Sequence, residues 1–385
     1  MNKFLRQGLI ICLILFFHSC SNKSQMGQKG FDNEHQILLK VGKESEKTQF
    51  FREYFELETV IPIETTDDFL MDDGIKRVIK YKDKLIILDR RSAIFLVNYS
   101  SGKVESYFRR IGQGPGESRQ ILDIGFDEQN ETILVFNDYN NLLFFDMKGN
   151  YIKQESFKKL FENIIYHDGN VLLYNDGIGY SCFPYKIEKY NLQNKKLEII
   201  GRNNKIDFNK RLFGNQIVKS KNIWFGTPID FDLNQYSDSK IESIYKLEPK
   251  TSPLTKEKMQ LGITDSRKFQ DERLTIMYGI ASIRETDHFL VFRSSKNGIF
   301  ILHKQTNEIH WEEFVNETSL GLRLNNYFPH NGDDNLIMFI LRPFEWLYLR
   351  KDTKMNELLD SLKEKIESFE IKEDNNLILI FYREK

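Results

Sequence analysis

A repeat constrains the fold of this 385-residue chain more than any other feature. Short apolar strands recur in sets of up to four, at a spacing of roughly 40 to 50 residues, a period typical of radially repeated sheets. The first set reads as residues 75–81, 84–89, 93–98 and 103–108, and the second as 121–126, 132–137, 141–146 and 148–152. A third runs through 163–166, 170–174 and 185–190. Looser sets follow at 215–220, 222–225 and 243–247, at 280–284, 288–292 and 298–302, and at 336–341. A last strand, 377–382, ends the series. Each set can bury its faces only against its neighbours, so the series has to close on itself. The reading is an all-β, six-bladed β-propeller over residues 50–385, with the last strand pairing to strands from the N-terminal end so that no seam stays open. The abundance of Phe (31) and Tyr (17) agrees with strands. A β-sandwich followed by a second domain is the competing architecture, and the absence of a linker in the pattern weighs against it.

One segment breaks the period of two. Leu358, Leu359, Leu362, Ile366 and Phe369 fall on one side of a helix over 356–369. It is expected to pack that stripe on the ring as a short helical insertion within the last blade.

The N-terminus carries a different signal. Lys3 and Arg6 precede an apolar run over 9–17, too short for a permanent bilayer span but matched to the h-region of a secretory signal. Ser19 then stands directly before Cys20, which resembles the lipobox of bacterial lipoproteins. This divides the chain into a signal peptide over 1–19, a flexible polar tether over 20–49 and the propeller over 50–385. Cys20 would receive the lipid, the partner there would be a membrane, and the location would be the cell envelope, at the outer membrane. Cys182 would then be the single cysteine of the mature domain, read as an inert thiol.

Between the first two sets lies Arg109-Arg110-Ile111-Gly112-Gln113-Gly114-Pro115-Gly116-Glu117-Ser118. It is similar to the Gly-Gln-Gly-Pro-Gly-Glu signature of the six-bladed propeller lipoproteins common in Bacteroidetes. Ile61-Pro62-Ile63-Glu64-Thr65-Thr66 resembles the opening segment of the same family. Ser118 stands where that family usually has an aromatic residue. The resemblance implies an NHL-like propeller at the envelope and no established activity. The loop lacks the Gly-Lys-Ser/Thr ending of a P-loop and lies between strands, so it is read as a blade-joining connection with a possible ligand contact.

The basic and acidic residues nearly balance, 55 against 56, which gives no electrostatic case for a nucleic-acid partner. Histidines 167, 288, 303, 310 and 330 show no metal-ligand spacing. The acidic clusters at 72–73 and 333–334 do not continue into an EF-hand loop. No cofactor is expected, and no Gly-x-Ser-x-Gly elbow is present. What remains is a set of polar turns that a closed ring would gather on one face, around a central mouth. From these, Arg110, Gln113, Asp138, Tyr139 and Asp176 are the candidate contacts for a protein or carbohydrate ligand. A non-catalytic binding propeller is the first expectation. A propeller enzyme acting on carbohydrate, of lyase, glycosidase or lactonase type, is the alternative.

Overall fold

A computed structural model describes residues 36–40, 50–72, 74–175, 186–202, 216–227, 231–248, 279–294, 298–350 and 353–385. It is a six-bladed β-propeller. Two strands precede the first blade, β1 (Ile37–Lys40) and β2 (Phe55–Pro62), with a one-turn helix α1 (Phe50–Tyr54) between them. Blade 1 is β3 (Ile75–Tyr81), β4 (Lys84–Asp89), β5 (Ile94–Asn98) and β6 (Val104–Phe108). Blade 2 is β7 (Ile121–Asp127), β8 (Thr132–Asn137), β9 (Asn141–Phe145) and β10 (Tyr151–Ser156). Blade 3 is β11 (Asn163–His167), β12 (Asn170–Asn175), β13 (Lys186–Asn191) and β14 (Leu197–Arg202). Blade 4 is β15 (Ile217–Lys219), β16 (Ile223–Phe225), β17 (Asp232–Ser237) and β18 (Lys240–Glu248). Blade 5 is β19 (Ala281–Glu285), β20 (Phe289–Arg293), β21 (Ile299–His303) and β22 (Ile309–Glu312). A small hairpin, β23 (Val315–Glu317) and β24 (Leu322–Leu324), leads into blade 6, whose first strand is β25 (Leu336–Leu341) and second β26 (Ile378–Glu384).

Blade 6 closes the ring. Its third strand is β2, so β26 pairs with a strand from the start of the domain on one side, Val60 opposite Ile380, and with β25 on the other. Ile378 to Tyr382 are wholly buried as a result.

The alternation of side chains along a strand explains why so many strands are apolar without a break. In β4, Leu85 and Ile87 face the blade 6 side, in a cluster with Leu379 and Phe381, while Ile86 and Leu88 join Ile124 and Ile133 of blade 2. The same division runs around the ring, one apolar cluster filling each of the six blade boundaries. Each fully buried Leu, Ile or Phe contributes about 1.5–3 kcal/mol, and no blade keeps that contribution without both neighbours.

The helical insertion lies between β25 and β26. It comprises α2 (Pro343–Tyr348) and α3 (Asp360–Glu367), the latter shorter than the expected 356–369. Leu362 and Ile366 are buried against blades 5 and 6, and Leu358 and Phe369 pack at the margin. Leu359 departs from the expected stripe: it precedes the first turn of α3 in extended conformation and is 70% exposed. A second difference is β1. Within the span read as tether, Ile37–Lys40 pairs in parallel with β18 as a fifth, outermost strand of blade 4, and Leu39 is buried there.

Candidate functional site

The first strands line the axis, and polar side chains fill it. Arg77 of β3 is wholly buried. Its Nε donates to Asp123 Oδ1 of β7 at 2.8 Å, its Nη2 donates to Oδ2, and its Nη1 donates to the Ile217 carbonyl of β15 at 2.9 Å. Asp123 also accepts from the Ile164 N–H of β11 at 2.8 Å. One buried ion pair therefore ties blades 1 to 4, with all three guanidinium nitrogens and both carboxylate oxygens engaged.

Arg284 of β19 is the counterpart on the other side. It donates to the carbonyls of Leu336 (3.1 Å) and Gly332 (2.7 Å) and pairs with Asp334. Burial alone would raise the Asp334 carboxyl; His330, Arg284 and Lys80 outweigh it and hold that carboxyl well below the usual carboxylate range. The segment before β25 crosses the ring here. Asn331 exchanges backbone hydrogen bonds with Val78 and Lys80 of blade 1, and its Oδ1 accepts from the Lys219 N–H of blade 4. The end of the axis near the first-to-second strand turns is thus occupied by the protein's own chain. Polar convergence at this end of the axis serves the fold.

The boundary of blades 1 and 2 is open on the face carrying the blade connections. Two adjoining hollows open there. One, about 550 Å³, is lined by Arg90, Arg91, Ser92, Arg109, Arg119, Gln120 and Asp138. The other, about 720 Å³, is lined by Gln113, Gly114, Pro115, Glu117, Arg119, Tyr139, Asn141, Tyr151 and Gln154. Arg119 belongs to both.

The glycine-rich connection shapes the larger hollow. The Glu117 carboxylate folds back beneath its own loop and accepts from the Gly114 N–H at 2.8 Å. A Cβ at residue 112 would stand 2.0 Å from that carboxylate, so a larger residue there would push Glu117 out of this position. Gly116 has φ +76°, and a Cβ there would meet the Tyr151 ring at 2.6 Å. Ser118 is buried, its N–H bonded to the Arg110 carbonyl and its carbonyl to the Gly112 N–H. Gln113 and Pro115 are left exposed at the tip.

Blade 2 supplies the opposite wall. Asn137 Oδ1 accepts from the N–H groups of Tyr139 (3.1 Å) and Asn141 (2.9 Å), fixing the turn with Asn140 at φ +61°. Asp138 accepts from Arg119 Nε at 3.1 Å and from the Gln120 N–H at 3.2 Å. The Arg119 guanidinium also lies over the Tyr139 ring, 5.2 Å from its centre.

The structure places Gln113 and Tyr139 in one hollow and Asp138 in the next. Arg110 it directs elsewhere: Nε and Nη2 both donate to the Gly149 carbonyl, at 3.1 and 2.8 Å, in the turn between the third and fourth strands of blade 2, and Arg110 lines neither hollow. Asp176, Cys20 and Cys182 lie outside the described residues. Arg119 was not singled out by sequence reasoning. The signal available was five arginines between residues 90 and 119 in a chain whose charges balance overall.

Comparison with known proteins adds the family and the fold. No curated protein has a matching sequence. Among solved structures, a Bacteroides fragilis protein described as exported is similar, at a TM-score of 0.69 and 17% identity, covering 91% of this chain and all of the other. A DUF4221 family member from Bacteroides vulgatus is similar at a TM-score of 0.50 and 10% identity, covering 86% of this chain and 97% of the other. At these identities the likeness is one of fold. The domain of unknown function DUF4934 matches residues 36–383, nearly the whole described chain, and the protein belongs to that family.

Proposed function

We propose that this protein is a lipid-anchored binding propeller of the cell envelope. Cys20 would carry the anchor, and the paired hollows between blades 1 and 2 would be the ligand face. The observation that carries the reading is convergence: three separate connections of blades 1 and 2, around Arg90, from Arg109 to Gln120 and around Tyr139, meet on one surface. They bring guanidinium, amide and phenol groups together without a tertiary role that would account for all of them. A binding role fits the acidic groups as well. Asp138 is engaged by Arg119 and Gln120, and Glu117 by the Gly114 N–H, so each already serves the geometry of its loop.

The test is an Arg119→Ala/Tyr139→Ala variant. Both residues sit on loops or turns, where truncation usually changes stability by less than about 0.5 kcal/mol each, so the variant should melt close to the parent. It should lose the protein or glycan that the parent retains from envelope extract, read by mass spectrometry of the eluates. Recovery of the same material at the same yield would place the functional surface elsewhere.

A further inference from the structure

We infer that the ligand of these hollows is an acidic oligosaccharide, held by its charged groups on the arginines and by its sugar rings along Tyr139 and Tyr151. This deepens the proposed binding role and rests on it.

Charge comes first. The smaller hollow is lined by four arginines and a single carboxylate, Asp138. Like charges gathered on one surface repel, and here the chain as a whole is nearly neutral, so general basicity does not account for the cluster. Among the described residues three of the arginines are held through Nε, and Arg119 in addition lies over the Tyr139 ring. Arg109 Nε donates to the Arg91 carbonyl at 3.0 Å, Arg119 Nε bonds Asp138, and Arg91 Nε lies 3.6 Å from Asp72. A guanidinium has five N–H donors, so one anchor fixes its position and leaves a fork for a ligand. That fork fits the two oxygens of a carboxylate or sulfate. Arg90 lies across Gly74, where a Cβ would stand 2.4 Å from its side chain, so glycine at that position gives it room.

The larger hollow supplies the second half. Its wall carries amides and phenols, Gln113, Asn141 and Gln154 with Tyr139 and Tyr151, beside Arg119 and the Glu117 carboxylate, which is turned onto the Gly114 N–H. Amide groups both donate and accept, which suits the hydroxyls of a sugar, and aromatic rings suit its C–H faces. Arg119 belongs to both hollows, so one chain of two or more sugar units can place its acid in the first and its rings in the second.

Titration calorimetry on the purified protein tests this, with five probes: an oligogalacturonate tetramer, its methyl ester, a chondroitin sulfate tetrasaccharide, hexaglutamate and inorganic phosphate. At least one acidic saccharide should bind, and tighter binding of the chondroitin tetrasaccharide, which carries sulfates beside its carboxylates, would mark a preference for sulfate. The methyl ester and hexaglutamate should bind at least about tenfold more weakly. Affinity should fall between about 50 and 300 mM salt, as screening of exposed charges requires. Arg109→Gln and Arg119→Gln should each weaken binding about tenfold, the loss of one charged hydrogen bond. Tyr139→Ala should weaken the saccharide while leaving inorganic phosphate unaffected. Equal binding of the methyl ester, tighter binding of hexaglutamate, or no binding of either acidic saccharide overturns the inference. Should that happen while Arg119→Ala/Tyr139→Ala still loses its envelope ligand, the ligand class is wrong and the site stands. If that variant keeps its ligand, both readings fall.

Discussion

Glu312 ends β22, 5% exposed, with its Oε1 accepting from the Phe51 N–H at 2.7 Å. Burial pushes its carboxyl up to about 7; the Phe51 amide works against that shift and the nearby Glu53 adds to it. The folded chain therefore keeps this proton at pH values where the unfolded chain, near 4.5, has released it. Stability from this group is full below about pH 4.5 and is lost as pH rises through about 7, a loss on the order of 3 kcal/mol. Glu312→Gln keeps an acceptor for Phe51 and removes the ionisation. Thermal melts at pH 5 and pH 8 should show the variant gaining on the parent only at pH 8; an equal offset at both would refute this account. The same scale separates what sequence could tell about the site from what it could not. Gln113 and Tyr139 were visible as polar residues in turns. That Arg110 turns away while Arg119 bridges two hollows depends on which carbonyl or carboxylate lies within reach, and Gly149 and Asp138 are fixed only by the fold.

At the scale of elements, the strands apolar on both faces were legible from the sequence, because a run such as Leu85-Ile86-Ile87-Leu88 has few other places to go. The outer ones were harder. β17, the third strand of blade 4, reads Asp-Leu-Asn-Gln-Tyr-Ser and gives only Leu233 and Tyr236 to the apolar clusters, so its period is diluted by polar residues. β1 owes its place to a neighbour's open edge, and Gln36 beside it donates to Asp232 of β17 at 3.1 Å. α3 was foreseen from its stripe, and Leu359 was misplaced because the helix starts one residue later than the spacing allows. The closing strand was foreseen too, and its role yields a prediction. β26 is hydrogen-bonded on both sides, so deleting residues 374–385 strips partners from β2 and β25 and opens two apolar clusters at once. The truncated protein should lose its cooperative melt altogether, followed by circular dichroism. A melt like that of the parent would show that the ring holds without this strand.

For the whole molecule, the repeat was enough to give the ring, since six blades with one cluster per boundary is the arrangement that leaves no face of a blade bare. The axis was not foreseeable: the Arg77–Asp123 pair joins residues of two blades, and the crossing by Asn331 depends on a connection without any repeat. The address of the molecule yields its own prediction. Metabolic labelling with a fatty-acid probe should mark the parent and leave Cys20→Ala unlabelled; equal labelling of both would remove the anchor from the proposal. One consequence of the closure concerns time. β2 is among the first segments of the domain to be made, and its partner β26 comes more than three hundred residues later. Pairings of such separation form slowly, because a long loop must be ordered before they repay it. A nascent chain, or one being threaded across a membrane from its N-terminus, can assemble blades 1 to 5 in succession, but Phe55–Pro62 must wait as an unsatisfied edge until the final strand arrives. The seal is therefore also a check on completeness, and a chain halted before residue 378 stays open to chaperones and proteases.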